Sequence, residues 1–222
     1  MPKIAIYIIT PLSGFVIMSL EVLGFRVMAA GFGSAFYISP VVIGVVLIAM
    51  SIGYYLGGWS ADKVPRLWLL AIYLFIAGIF TIIVPLYKND LNNWIFDTEI
   101  LSSPMAGIFG QSGGTEQWMW ADVFLSAFLL FFVPSMMLAC VLPFVIKLAT
   151  TDIAHAGRTS GALIGLSSVG SILGVFLTSL IFINTWGIAQ NIYQLGGGLI
   201  ILSLVALFAD RCRPKQTAPM KN

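Results

Sequence analysis

Charge is scarce in this chain. Of 222 residues, eleven are Lys or Arg and nine are Asp or Glu, 9% in all. A soluble domain carries roughly 25%. Too few polar side chains remain to cover a water-facing surface, which excludes an ordinary soluble enzyme. Cysteine is nearly absent: Cys140 lies in an apolar run and Cys212 in a basic tail. Two such residues exclude a disulfide scaffold, and neither has the spacing of a zinc site. A single histidine, His155, excludes a histidine-rich metal centre. No Ser-His-Asp constellation is evident. The glycine motifs lie in runs of membrane-spanning length rather than after a soluble strand, so they do not read as a nucleotide fingerprint. No cofactor, metal or nucleic acid is expected.

What is present is apolar length. The chain is 59% hydrophobic, with a mean hydropathy of +0.99. Six apolar runs stand out: Ile4 to about Ala30, Ile38 to Trp59, Leu67 to Tyr87, Val123 to Leu148, Gly161 to Ile183, and Ile188 to Ala209. In hydrocarbon only helices and closed barrels satisfy the backbone, and runs of this length without alternation are helices. The expectation is an all-α integral membrane protein with six transmembrane helices in residues 1–210. The first run, which carries Glu21, reads as a retained span rather than a cleaved leader.

Lys and Arg positions indicate orientation. With the N-terminus inside, nine of the eleven fall on the cytoplasmic side: Lys3, Lys63, Arg66, Lys147, Arg158, Arg211, Arg213, Lys215 and Lys221. Only Arg26 and Lys88 do not. The positive-inside rule then places both termini in the cytoplasm, with residues 211–222 as a short basic tail. The expected location is a bacterial inner membrane, crossed several times. Residues 88–121 form the long external loop, with Asp90, Asp97, Glu99 and Glu116 in it and Asp122 at its far end. Leu91 to Phe96 reads as a short interfacial helix capped by Asn89-Asp90. Gly107, Gly110, Gly113 and Gly114 suggest irregular chain, and Trp118 and Trp120 mark re-entry.

Seven residues form the candidate polar and packing sites. Glu21 is a carboxylate in the outer part of the first span, and such a group is costly there unless protonated, paired or facing a polar cavity. Arg26 lies five residues on, about 140° round the helix, too far for an easy pair with Glu21. Gly53 and Gly57, and Gly170 and Gly174, are spaced four apart and allow close approach by another helix. Asp62 lies at the inner end of the second span and is expected to cap the next helix or pair with Arg66 or Arg158. Pro134 and Pro143 each remove a donor within the fourth span and bend it.

The run Ser13-Gly14, Leu20-Glu21-Val22-Leu23-Gly24-Phe25-Arg26, Gly31-Phe32-Gly33-Ser34 resembles the first span of the membrane domain in bacterial spermidine-synthase-like proteins. In that family a major-facilitator-like part is fused to a spermidine synthase. Ala49 to Lys63 resembles its second span and the loop motif of major facilitators. Val133 to Pro143 and Gly157 to Gly174 are similar to its later half. The resemblance implies half of a major-facilitator fold. It also implies a soluble synthase domain, which these 222 residues do not contain, so aminopropyl transfer is not expected of them. The leading expectation is a non-enzymatic membrane subunit that organises a partner protein or complex. The alternatives are a small-solute transporter working as a dimer of six-helix halves, a membrane component of a polyamine synthase-like system, and a membrane enzyme. The expected partners are the lipid bilayer and either another subunit or a second copy.

Overall fold

The computed structural model describes residues 2–33, 36–109, 119–150 and 155–211. The described residues are helical apart from short connections. The helices are α1 (Pro2–Phe32), α2 (Ile38–Lys63), α3 (Leu67–Thr98), α4 (Ser102–Phe109), α5 (Met119–Ala139), α6 (Val141–Ala149), α7 (Ala156–Leu177) and α8 (Ile183–Arg211). A π-helical turn, Thr178–Phe182, joins the last two. Five stretches are long and apolar enough to cross a membrane: Ile4–Phe32, Ile38–Lys63, Leu67–Lys88, Met119–Ala149 and Ala156–Arg211.

The last stretch has 56 residues. A straight helix of that length would measure about 84 Å, against roughly 30 Å of hydrocarbon. It does not run straight. Gly187 takes φ 75° and ψ 175°, outside helical space. A positive φ is cheap only for glycine, so the chain breaks there. The buried side chain of Asn191 donates its amide N–H to the carbonyls of Phe182, at 2.8 Å, and Gly187. Carbonyls freed by the break thus keep partners without water.

Inter-helix contacts set the direction of each rod. Gly170 and Gly174 of α7 meet Pro11 and Phe15 of α1, so these helices run parallel. Gly53 and Gly57 of α2 meet Met136 and Cys140, and Asp62 meets Lys147, so α2 runs parallel to α5–α6. Gly78 of α3 opposes Gly196 and Ile200, while Gly196 opposes Ile82, so α3 and α8 are antiparallel. Gly24 of α1 lies against Val42 of α2, and Gly31 of α1 against Asn92 of α3. Successive long rods therefore alternate in direction, and α8 folds back alongside α3. The pairs are first with fifth, second with fourth, and third with sixth. Exchanging the first three rods for the last three leaves that pairing unchanged and reverses every direction.

Two apolar clusters fill the bundle. One gathers Ile9, Leu20, Leu70, Leu74, Phe144, Leu163 and Leu199. The other gathers Leu23, Met28, Val42, Val45, Ile95, Phe131 and Ile192. Buried hydroxyls on single helices bond the carbonyl one turn back, as Thr10 does to Ile6 and Thr81 to Ala77, both at 2.7 Å.

Two expectations from the sequence are corrected. Residues 91–96 are no separate interfacial helix: α3 carries Pro85 within it and runs unbroken to Thr98, so Asn89 and Asp90 lie mid-helix rather than at a cap. Leu91, Asn92 and Ile95 are half-buried or buried on the bundle, which explains the continuation. Gly107 belongs to α4, whose first amides are capped from α5, so that part of the loop is helical. The fourth apolar run is one candidate span, Met119–Ala149, as expected, within which α5 and α6 meet at a turn at Cys140. Pro143 cannot donate to the Ala139 carbonyl, which places the break one turn before the proline. Ser34, Gly110, Gly113, Gly114, Glu116, Trp118, Asp152, Cys212 and the tail beyond it lie outside the described residues.

A methyl group at Gly170 would overlap the Pro11 carbonyl, its carbon 2.7 Å away, whereas one at Gly161 meets nothing within 4 Å. Gly170→Ala should therefore lower stability in detergent by about 3 kcal/mol, as overpacking does. Gly161→Ala should leave it unchanged or raise it slightly. Thermal unfolding of the two variants side by side checks this.

Candidate functional site

The structure puts the seven candidate residues in separate places. Gly170 and Gly174 form the α1–α7 seam, where a polar ladder runs beside them. Ser171 Oγ donates to the Gly14 carbonyl at 3.2 Å, and Thr178 Oγ1 to Ser19 Oγ at 2.8 Å. Ser19 Oγ lies 3.4 Å from the Gly174 carbonyl. Bonds of this kind between helices in a membrane contribute about 0.6 kcal/mol on average. Gly14 completes the seam from the other side, since a methyl there would meet Ser167 and Ser171. Gly53 and Gly57 form the α2–α5–α6 seam. A methyl at Gly53 would sit 2.7 Å from Ala139 Cβ, and one at Gly57 2.6 Å from Cys140 Cα. All four predicted glycines face helices of their own chain.

Asp62 pairs with Lys147 at 2.6 Å rather than with Arg66 or Arg158. Both partners are more than half exposed, so the pair contributes at most about 1 kcal/mol. It closes the charged end of the α2–α6 seam. One residue on, Lys63 Nζ lies 3.7 Å above the Trp59 ring.

Glu21 is half-buried on α1 and makes no ion pair with a described residue. It lies to one side of the face of α1 that Pro11, Gly14, Phe15 and Ser19 turn toward α7. Arg26 is exposed, and the two charges do not meet.

Sequence reasoning missed three polar positions that the fold brings inside. Asp122 is 3% exposed, and its Oδ1 accepts from the Leu101 N–H at 2.8 Å and the Ser102 N–H at 3.4 Å. A carboxylate of α5 thereby holds the N-terminal end of α4. Asn92 is buried against Gly31, and its Oδ1 accepts from Ser126 Oγ at 2.9 Å, joining α3 to α5 with α1 behind. Asn191 clasps the break at Gly187. A signal existed for each: a polar residue among apolar ones at helical spacing. Apart from Gly187, one turn before Asn191, the partners were not readable, because they lie 9 to 34 residues away in the chain.

At the break between α7 and α8 an open groove of about 580 Å³ is lined by Trp186, Gly187, Ile188, Gln190, Tyr193 and Gln194. All come from one bend of the chain. Among the described residues no group of three or more His, Cys, Asp or Glu is placed to hold a metal ion. Comparison with protein families, curated proteins and solved structures gives no match.

Replacing Asp122 by Ala leaves the amides of half-buried Leu101 and buried Ser102 without their acceptor, at about 1–3 kcal/mol for a buried group. Faster hydrogen exchange at Leu101 and Ser102, with α1 and α7 unaffected, is the expected outcome. Equal exchange in variant and wild type would remove Asp122 from this role.

Proposed function

We propose that the chain is a non-enzymatic membrane subunit that holds a partner helix against the open face of α7. In this reading it crosses the membrane six times, α7 and α8 being separate spans, with both ends in the cytoplasm. The supporting observation is that α7 carries two glycine ledges in different states. Gly170 and Gly174 are pressed onto α1. Gly157, Gly161 and Gly165 are also four apart, and nothing lies within 4 Å of a methyl built on any of them. The second ledge is about 140–180° round the helix from the first. Ile164, Val169 and Ile172 stand exposed beside it. In a bilayer, small residues at this spacing favour helix association because backbones approach closely there. A partner of the synthase-like kind implied by the resemblance belongs to this reading if it is membrane-anchored.

The test is purification of the tagged chain from its native membrane in mild detergent, with native mass and identification of what accompanies it. A stoichiometric partner of another sequence is expected, and it should be lost on Gly161→Leu/Gly165→Leu while the variant stays folded. A partner retained by that variant would end the docking role of α7.

A second reading is a small-solute transporter built as a dimer of six-helix halves. It is supported by the pairing that survives exchange of the first and last three rods with reversed direction. Such inverted repeats recur in secondary transporters. The half-buried Glu21 is then its coupling carboxylate. Glu21→Gln should abolish uptake in a folded protein, and unchanged uptake in that variant would remove the carboxylate from the mechanism.

A further inference from the structure

Thr10, Ser60 and Thr81 are buried hydroxyls that donate to a carbonyl about one turn back on their own helix: Ile6, Gly57 and Ala77. Ser102 has no such recourse. It is the first residue of α4, so no turn of that helix precedes it. The chain leaves helical register just before, at Glu99, where φ is 44°. The Glu99 carbonyl is already occupied by the Ser103 N–H at 3.1 Å. Ser102 is fully enclosed, and its Oγ has no hydrogen-bond partner. A buried polar group in that position calls for an occupant that can bond to it.

Asp122 stands at the same end of α4. It is 3% exposed, and its Oδ1 takes the Leu101 and Ser102 N–H groups. Its Oδ2 accepts from no described residue. The Ser102 hydroxyl is only three bonds from the nitrogen that reaches this carboxylate. One open O–H donor and one open carboxylate oxygen therefore share an enclosed helix end. Ser126 and Asn92, a turn further along α5, satisfy each other at 2.9 Å and do not compete for either group.

The chemistry of this end selects the occupant. An anion would find the first-turn amides taken: Leu101 and Ser102 by Asp122, Ser103 by Glu99, and Met105 by Leu101, while Pro104 has none. It would also face a carboxylate. A hard cation takes about six oxygens, where two are open, and the start of a helix disfavours positive charge. Water needs two to four polar partners and both accepts and donates. We propose that an internal water molecule completes the cap of α4, accepting from Ser102 Oγ and donating to Asp122 Oδ2. It gives both groups the partner the chain withholds, and it adds a second link between α4 and α5 beside the two amide bonds. The inference is independent of the partner and transport readings.

The test is a crystal structure of the full chain at a resolution that shows ordered solvent. Density about 2.6–3.2 Å from both oxygens is expected. Contacts of about 2.4 Å to many oxygens would mark a cation and overturn the proposal. So would an empty site, or a direct bond from Ser102 Oγ to a protein oxygen. Ser102→Ala addresses the same point in solution, because the sign of its effect differs. Loss of a hydrated hydroxyl should lower Tm by about 2–4 °C and speed hydrogen exchange at Leu101, with the α1 and α7 amides unchanged. Loss of a dry, unpartnered hydroxyl should raise Tm. A raised or unchanged Tm therefore overturns the proposal.

Discussion

Backbone touching backbone across glycine is the constraint on which this bundle depends. At the α1–α7, α2–α5–α6 and α3–α8 seams, a single methyl group would strike the neighbouring chain. Lipid is as apolar as leucine, so helices in a membrane gain little by hiding apolar side chains from it. What they gain is dispersion contact, which rises steeply as the axes close. Glycine at Gly53, Gly57, Gly78, Gly170, Gly174 and Gly196 permits that closure. Each seam fixes the register of its pair, and the contacts of Gly24 with Val42 and Gly31 with Asn92 relate the pairs to one another.

The second constraint is that buried polar groups need partners within the bundle, and among the described residues only the Ser102 hydroxyl is left without one. Threonines and serines turn back onto the preceding turn of their own helix. Where the helix itself fails, a distant side chain supplies the partner. Asn191 covers the opening at Gly187, and Asp122 covers the first amides of α4. Gly187 breaks the 56-residue helical stretch, and these two side chains take up backbone groups at that break and at the start of α4. An unsatisfied backbone group in hydrocarbon costs several kcal/mol.

Function follows from what the seams leave over. The glycines that look functional in sequence are spent on internal packing. On α7 the glycines left open are Gly157, Gly161 and Gly165, on the face turned away from α1. The proposed role in holding a partner rests on that face.

Much of the helical layout was readable from the sequence. Low charge and long apolar runs require helices of spanning length, because only an internally bonded backbone survives in hydrocarbon. Gly187 lay in the one short gap between two such runs, and the fold breaks there. Leu91 to Phe96 misled, because its mix of Asn and Trp reads as an interface while Asn92 is buried against α1 and α5. Asp62 found Lys147, a partner 85 positions away that spacing along the chain does not indicate. The clearest case is α7 itself. Gly161 and Gly165 show the same four-residue step as Gly170 and Gly174, and the sequence alone determines that either pair is small enough for a helix to approach. Only the tertiary structure decided which pair is approached, because that depends on where Pro11 and Phe15 of a helix some 159 residues earlier come to rest.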